Sequence, residues 1–341
     1  MKTATQLSMI AAVTALTMLG LTGCDSPGAV APPAANAKSE RPGPTDVPKA
    51  CAASDGGKIL IGFVDISEQI SFFTQMNTGA EEVAKMAGAD IQIISGANDP
   101  ATQVTGVESL MARKANAIII DPVNPDALVP AIAKASAAGV PVVSVDGSMG
   151  AGSAISAQVG TSNGEGGAEL GKALLEIAGN KGKVGVVGAL SSSIQLERQK
   201  GFIDAVTAGG MTIGTIVDGH NAIDQATNAT ENLLTSDPDL KYIYATGGPA
   251  LEGVAAAIKS QNAKDRVQVV GWDLSEVSAE GLREGYMKAI IQQDSFGFGY
   301  ESAKAAINLA CGATDVPETI SVPINIVTVK NLDQYAYFLE K

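Results

Sequence analysis

Short apolar runs alternate along the chain with longer amphipathic stretches. The apolar runs are rich in Val and Ile without polar alternation, as in residues 59–64, 91–94, 117–120 and 140–145. The stretches between them carry apolar residues at helical spacing, as in residues 72–86, 101–113 and 126–138. A strand that is apolar on both faces is typical of a parallel sheet covered by helices. The pattern therefore predicts a doubly wound α/β arrangement.

The same alternation begins again in the second half of the chain. Strand-like runs cover residues 183–187, 212–217, 241–245 and 267–271. Helix-like stretches cover residues 194–208, 223–234 and 250–260. Two sets of βα units predict two similar sheets rather than one long sheet. We expect the hinge between the two lobes near residues 160–163, where an apolar strand leads into a glycine-rich helix start.

An aspartate follows the end of several predicted strands. Asp65, Asp121 and Asp146 do so in the first half, and Asp273 does so in the second. Ligands of open parallel sheets bind beyond the carboxyl ends of the strands, so these aspartates are candidates for a ligand site. Aspartate is also a preferred helix N-cap, which is the alternative explanation for any single one of them. Their recurrence in phase in both halves favours a shared site.

The N-terminus is typical of an export signal. An apolar segment over residues 7–21 follows Lys2, and it is too short and too rich in Ala, Thr and Ser for a spanning helix of about 20 apolar residues. The string Leu21-Thr22-Gly23-Cys24 resembles a bacterial lipobox, which implies that a signal peptide of residues 1–23 is removed and Cys24 is lipidated. An ordinary signal peptide with a chance cysteine is the alternative. The proline-, alanine- and glycine-rich residues 24–57 are predicted to form a flexible tether.

Composition and charge exclude several classes of function. The 341 residues are 45% hydrophobic and 4% aromatic and carry a net charge of -13, which argues against nucleic acid as a partner. The only histidine is His220, so there is no multi-histidine metal site and no second histidine base. The glycine run over residues 182–188 lacks the Gly-Lys-Ser/Thr end of a phosphate-binding loop, and residues 121–126 lack calcium-loop spacing. We therefore expect a protein that is not an enzyme and uses no cofactor or metal.

Several strings, in their order and spacing, resemble those of bacterial periplasmic substrate-binding proteins of the ribose/galactose type. They are Ser71-Phe72-Phe73, Ile118-Ile119-Ile120-Asp121-Pro122, the run from Gly139 to Asp146, the run from Glu197 to Phe202, Val270-Gly271-Trp272-Asp273 and Ile291-Gln292-Gln293-Asp294. The resemblance covers residues 58–330 and implies the type I periplasmic binding protein fold. We predict an N-terminal lobe of residues 58–160 and 294–322 and a C-terminal lobe of residues 161–293 and 323–341.

The resemblance also implies a set of ligand-binding residues. They are Phe72, Phe73, Asp121, Asp146, Arg198, Trp272, Asp273 and Gln293. The phenylalanines would cap a sugar ring, Asp146 and Asp273 would accept from hydroxyls, Arg198 would donate, and the glutamine would complete the network beside the hinge. Asp121 lies where relatives often carry asparagine. Trp272 would supply a second stacking face or, alternatively, pack beneath the site.

The chain departs from the pattern of these sugar binders at several positions. Thr246-Gly247-Gly248-Pro249 stands where sugar binders commonly have an Asn-Asp pair. Gly147 follows Asp146 where ribose binders have an arginine, and Gln69-Ile70 precede the aromatic pair in place of an Asn pair. These differences leave the family unchanged but leave the ligand open among monosaccharides, polyols and other small polar metabolites.

Two cysteines, Cys51 and Cys311, remain after lipidation of Cys24. An exported compartment permits disulfides. The family topology puts the first strand and the helix containing Cys311 in the N-terminal lobe, so we predict a disulfide between the end of the tether and that lobe. Two unrelated thiols are the alternative.

The resemblance implies a monomeric ligand clamp that captures a sugar or polyol and delivers it to the permease and ATPase of an ABC transporter. Its lipid would hold it at a membrane, facing the periplasm or the cell exterior. A receptor subunit for a chemotaxis or signalling partner would use the same binding chemistry and is the alternative.

Overall fold

The computed structural model describes residues 40–150 and 152–339, so the predicted signal peptide and Cys24 lie outside the described residues. In this part of the chain, no helix has both the length and the apolar character that crossing a membrane requires. The first half contains β1 (Leu60–Asp65), α1 (Ser71–Ala87), β2 (Asp90–Ser95), α2 (Pro100–Ala112), β3 (Ala117–Ile120), α3 (Pro125–Ala137), β4 (Val142–Val145) and β5 (Ala157–Gly160).

The second half repeats this alternation and then returns to the first lobe. It contains α4 (Asn163–Ala178), β6 (Lys183–Gly188), α5 (Ser193–Ala208), β7 (Thr212–Asp218), α6 (Ile223–Ser236), β8 (Tyr242–Ala245), α7 (Gly248–Ser260), β9 (Gln268–Trp272), α8 (Glu276–Glu284) and β10 (Met287–Gln293). The C-terminal part contains α9 (Ser295–Ala310), β11 (Thr319–Ser321), β12 (Ile324–Val327) and a 3-10 helix (Leu332–Leu339).

The strands form two six-stranded sheets with matching order. One runs β11-β5-β4-β3-β1-β2 and the other β12-β10-β9-β8-β6-β7. Neighbours in the first sheet are parallel, whereas β12 runs antiparallel to β10 at the edge of the second. Helices cover both faces, and as a result β3 and β4 are buried along their whole length. The predicted fold class of two doubly wound α/β lobes is confirmed.

Short segments connect the lobes. The described chain passes from β5 to α4, from β10 to α9 and from β11 to β12, each time over a few residues. The hydroxyl oxygens of Ser162 and Ser321 lie 3.1 Å apart where two of these segments run side by side. Such short connections are suited to a hinge, because only a few backbone angles need to change when the lobes move.

Residues 40–57, which we call the strap, differ from the predicted flexible tether. Arg41 forms an ion pair with Glu82 of α1, and its guanidinium carbon lies 4.0 Å from the centroid of the Phe296 ring. The Tyr300 hydroxyl donates to the carbonyl oxygen of Pro42 at 3.1 Å. The strap has no helical or strand period and no core of its own, but it packs on a surface that α1 and α9 already provide.

The strap is also joined covalently to the first lobe. Cys51 and Cys311, which follows α9, form a disulfide with their Cα atoms 5.6 Å apart. At the start of α9, the 3-10 helix packs its Phe338 ring 5.9 Å from that of Phe296, while the Gln75 side-chain amide donates to the Phe338 carbonyl oxygen at 3.1 Å. The 3-10 helix, assigned from sequence to the second lobe, therefore contacts α1 and α9 of the first.

Candidate functional site

A cavity of about 430 Å³ lies between the lobes at the carboxyl ends of both sheets. Predicted site residues that line it are Phe72, Phe73, Asp146, Arg198, Asp273 and Gln293. Its volume is within the usual range for small-molecule sites. Because the first lobe contributes the aromatic pair and Asp146 while the second contributes the remaining charged groups, a bound molecule would contact both lobes.

Arg198 is positioned by the close packing of α4 against α5. A methyl group added at Gly167 of α4 would lie 2.1 Å from the Arg198 carbonyl oxygen, so only glycine permits this approach. The Arg198 guanidinium then donates through Nε to Asn163 Oδ1 at 2.8 Å and through Nη2 to Gln293 Oε1 at 2.9 Å. Nη1 donates to the Thr246 carbonyl oxygen at 3.3 Å. The guanidinium plane is thereby held in one orientation.

Trp272 lies beneath the site and does not line the cavity. Its side chain is fully buried, and the Arg198 guanidinium carbon lies 3.9 Å from its ring centroid. The indole N–H donates to the Tyr244 hydroxyl at 2.8 Å, which fixes the ring. A cation over an indole face is stabilised by the ring quadrupole. Of the two roles predicted for Trp272, packing beneath the site is the one this structure supports.

Asp146 and Asp273 occupy matching positions in the two lobes. Asp146 directly follows β4, and Asp273 directly follows β9. Both have a positive φ, of 55° and 71°. Aspartate tolerates this left-handed region better than most residues because its short side chain can bond locally. The turned backbone directs both carboxylates toward the cavity, where both residues are lining groups.

Asp273 and Gln293 form a fixed pair at the edge of the hinge. The Gln293 side-chain amide donates to Asp273 Oδ1 at 2.8 Å, and the N–H of Gly248 at the start of α7 donates to Oδ2 at 2.8 Å. A helix N-terminus stabilises a carboxylate. The Thr246-Gly247-Gly248-Pro249 segment, which stands in place of an Asn-Asp pair, thus supplies backbone groups instead of side chains. The Thr246 carbonyl accepts from Arg198, and the Gly248 N–H donates to Asp273.

Asp121 lies behind the cavity wall rather than in it. It is fully buried, and no described side chain donates a hydrogen bond to its carboxylate. Burial raises the pKa of Asp121 well above its usual range, and the nearby Asp146 and Asp65 carboxylates raise it further, while the backbone N–H of Gly147 lowers it. Asp65 itself is held by the Asn77 amide at 2.6 Å. Asp121 therefore does not line the cavity, although Asp146, which influences its pKa, does.

The Asp146 carboxylate, which lines the cavity, has a raised pKa. Burial raises the pKa of Asp146 to about 6, while the nearby Arg198 guanidinium lowers it and the Asp273 carboxylate raises it. The two aspartates therefore lie close enough to repel each other when both are ionised.

Stability of the ligand-free protein should reflect this raised pKa. An aspartate with a pKa of about 4 in the unfolded chain and about 6 when folded stabilises the fold below pH 4, and this stabilisation is lost as the pH rises to 6. We expect Asp146→Asn to remove about 1–2 kcal/mol of the pH dependence of the unfolding free energy. Urea unfolding at pH 4 and pH 7 measures it. Asp204→Asn, at an exposed site on α5, is the control, and a pH dependence identical in Asp146→Asn and the parent would contradict the prediction.

The structure adds lining residues that sequence reasoning missed. They include Ser71, Gln75, Ser192, Gln195, Asn221, Gln292 and Phe338. Gln195 accepts from the Ala189 N–H at 3.0 Å and donates to Asn221 Oδ1 at 2.9 Å. Asn221 follows β7 with a φ of 54°, so the rule of polar residues after strands could have identified it. Phe338 lies far along the chain from every other lining residue, so no local sequence pattern could have indicated that it lines the cavity.

Two other features lie apart from this site. His220 is exposed in the loop after β7, with Nδ1 3.5 Å from Asp218 Oδ2, and does not line the cavity. A larger cavity, of about 670 Å³, opens at the amino ends of strands in the second sheet and is lined by Lys241, Tyr286 and Lys288 among others. It contains none of the predicted site residues and contacts only one lobe, so we assign the ligand site to the smaller cavity.

The sequence matches the family model described as a periplasmic binding protein domain over residues 61–314. This match covers more than half of the chain, and the chain belongs to that family. The membership confirms the family predicted from the sequence motifs. Its relatives are named as binding proteins. The protein belongs to this class rather than to a class of enzymes.

Several relatives are similar over most of the chain. A ribose import binding protein of Haemophilus influenzae is 29% identical over 223 residues, which are 65% of this chain and 75% of that protein. A D-apiose import binding protein of Paraburkholderia graminis is 28% identical over 283 residues, 81% of this chain and 90% of that protein. The structure of an ABC transporter periplasmic solute binding protein from Actinobacillus succinogenes with bound D-allose has a TM-score of 0.72 at 26% identity, covering 80% of this chain and 99% of that chain.

Proposed function

We propose that this protein is an exported, lipid-anchored solute-binding protein. It captures a small polyhydroxylated ligand, a monosaccharide or a related polyol, between its two lobes and delivers it as a monomer to the permease of an ABC transporter. The observation that carries the proposal is the cavity between the lobes, in which carboxylates, a guanidinium and aromatic rings converge.

The chemistry of the cavity supports a polyhydroxylated ligand. Hydroxyls donate and accept, so they suit both the carboxylates of Asp146 and Asp273 and the N–H groups of Arg198 that remain free. The apolar C–H face of a sugar ring suits Phe72 and Phe73, whose rings meet edge to face with centroids 5.4 Å apart. The similar proteins, which are import binding proteins for ribose and D-apiose and a solute binding protein with bound D-allose, support the same class.

The mechanism is closure of the two lobes on the ligand. Asp146 approaches from the first lobe, while Arg198 and Asp273 belong to the second, so a ligand that contacts all three stabilises the closed arrangement selectively. The short connections between the lobes are the bending points. No bond is made or broken, and the closed form is the one that docks on the permease.

A thermal-shift screen of the purified full chain against pentoses, hexoses and polyols tests the proposed ligand class. Binding to the native state alone raises the melting temperature by mass action, by an amount that grows with ligand concentration. We expect at least one compound to do so, and Asp273→Ala to abolish its effect. Asp265→Ala, which changes an exposed aspartate outside this cavity and on the lining of the larger one, is the matched control. Absence of any shift across the panel would refute the proposed class.

The lipid anchor at Cys24 is tested separately by cell fractionation. We expect the protein in the membrane fraction and Cys24→Ala in the soluble fraction. A membrane-bound Cys24→Ala protein, or a parent protein already soluble, would contradict the anchor. A tethered receptor meets a permease of the same membrane at a raised effective concentration, which is the advantage that the anchor would provide.

A further inference from the structure

A third phenylalanine ring lines the cavity, and it comes from a different part of the chain than Phe72 and Phe73. Phe338 belongs to the 3-10 helix near the end of the described chain, whereas the other two rings lie at the start of α1. The 3-10 helix follows β12 of the second sheet and packs on α1 and α9 of the first lobe. A segment that crosses between the lobes therefore supplies part of the cavity wall.

The ring of Phe338 is held in place by its neighbours. Its centroid lies 4.4 Å from that of the Tyr337 ring and 5.9 Å from that of the Phe296 ring. Arg41 of the strap covers Phe296 in turn, with its guanidinium carbon 4.0 Å from the ring centroid. Although Phe338 lines a cavity, it is only 5% exposed. A closely packed side chain has little freedom to move aside, so this wall resists displacement by a larger molecule.

The backbone that carries Phe338 is fixed by contacts that do not involve its ring. The Gln75 side chain donates to the Phe338 carbonyl oxygen at 3.1 Å and accepts from the Ser295 hydroxyl at 2.6 Å. Just before the 3-10 helix, the Asn331 side chain bonds to backbone groups of β12 and of the turn after it, at 3.0 and 2.7 Å. Because these contacts would remain after loss of the ring, its removal should leave a space rather than a collapsed wall.

We propose that Phe338 contacts the bound ligand and limits its size. The inference rests on the proposed function and deepens it, because it assigns a residue that decides which substituents of a sugar fit the cavity. A flat apolar ring suits the C–H groups of a sugar, and a ring that is already fixed loses little conformational entropy when the ligand binds. A group directed at this ring would have to push it into its packed neighbours, which is unfavourable.

Calorimetric titration of the full chain with sugars and their methyl ethers tests the inference. The probes are D-ribose, D-xylose, L-arabinose, D-allose, D-glucose, D-galactose and myo-inositol. Each probe that binds is compared with its mono-O-methyl ethers, one for each hydroxyl, so that every position of the ring is enlarged in turn. We expect the parent to bind at least one ether about tenfold or more weakly than the unmodified probe, and Phe338→Ala to bind that same ether within about threefold of the unmodified probe.

Two control variants separate a role at the ligand from a role in packing. Phe72→Ala removes a ring from another element that lines the cavity, so it should not restore binding of that ether. Tyr335→Ala, on the same 3-10 helix but outside the cavity lining, should leave the affinity ratio of ether to unmodified probe unchanged. Melting temperatures identify any variant that fails to fold. If Phe338→Ala does, Phe338→Leu replaces it, because leucine also removes the ring but keeps an apolar side chain.

The affinity ratio decides the outcome. A ratio that stays the same for every ether in the folded Phe338 variant, or a parent that binds all ethers as tightly as the unmodified probes, would overturn the inference and leave the proposed function standing. Lower stability with an unchanged ratio would overturn it too, since the ring would then only fill the aromatic cluster. If no probe binds the parent and the wider thermal-shift screen is also negative, the inference fails together with the proposed function.

Discussion

Replacing Arg198 with alanine should lower the affinity for the ligand about 100-fold or more. Removal of one member of a buried charged network costs about 2–5 kcal/mol. The side chain is 5% exposed, and it joins Asn163 and Gln293 at distances of 2.8 and 2.9 Å. Its loss leaves Asp146 without the cation that lowers its pKa. Calorimetric titration with a ligand from the thermal-shift screen measures the change.

Two further variants make this result specific. Lys200→Ala, at an exposed position two residues later on α5, removes one positive charge outside the site and should leave the affinity unchanged. Arg198→Lys keeps the charge but loses the planar fork, so we expect most of the affinity to be lost there too. Melting temperatures of all variants identify any that fail to fold. An affinity of Arg198→Ala within threefold of the parent, in a folded protein, would refute the role of Arg198.

Removing the disulfide between Cys51 and Cys311 should lower the free energy of unfolding by about 2–4 kcal/mol. The bond joins residues separated by 260 positions, so it restricts a large part of the unfolded chain. It also holds the end of the strap, where the Ala50 N–H donates to the Ala87 carbonyl at 3.0 Å. Urea unfolding of the Cys51→Ser/Cys311→Ser double variant beside the parent measures the loss.

The double variant also supplies the control for this experiment. A reductant should destabilise the parent and leave the double variant unaffected. Ligand affinity should stay unchanged, because Cys311 follows the C-terminal end of α9, whereas the cavity lies toward its N-terminal end. The helix is about 24 Å long. A parent protein whose unfolding does not respond to reductant, with two free thiols after denaturation, would show that the bond does not form.

The two-lobed fold and much of the site could be predicted because their signals are local. Apolar runs without alternation identify buried parallel strands, and the two series of runs correspond to the two sheets. Polar residues after strands point to the cavity for the same reason, since the carboxyl ends of parallel strands meet at one edge. Asp146 and Asp273 line the cavity by this rule.

The same rule failed for Asp121, which also follows a strand. Asp121 is fully buried and does not line the cavity, and a strand end alone does not reveal which neighbour lies in front. Trp272 presented a similar choice between stacking on a ligand and packing below the site. Its position was decided by Arg198 above it and Tyr244 beside it, which lie far away in sequence.

By itself, therefore, the sequence of this protein determined the two series of strands and helices, the family and the positions at strand ends where a ligand site should form. The tertiary structure alone decided how Arg198, Asp273 and Gln293 share their hydrogen bonds, how Phe338 reaches the cavity and how the strap packs on α1 and α9. The reason is physical: periodicity records which face of an element is buried, whereas these contacts depend on which distant surfaces meet when the elements pack.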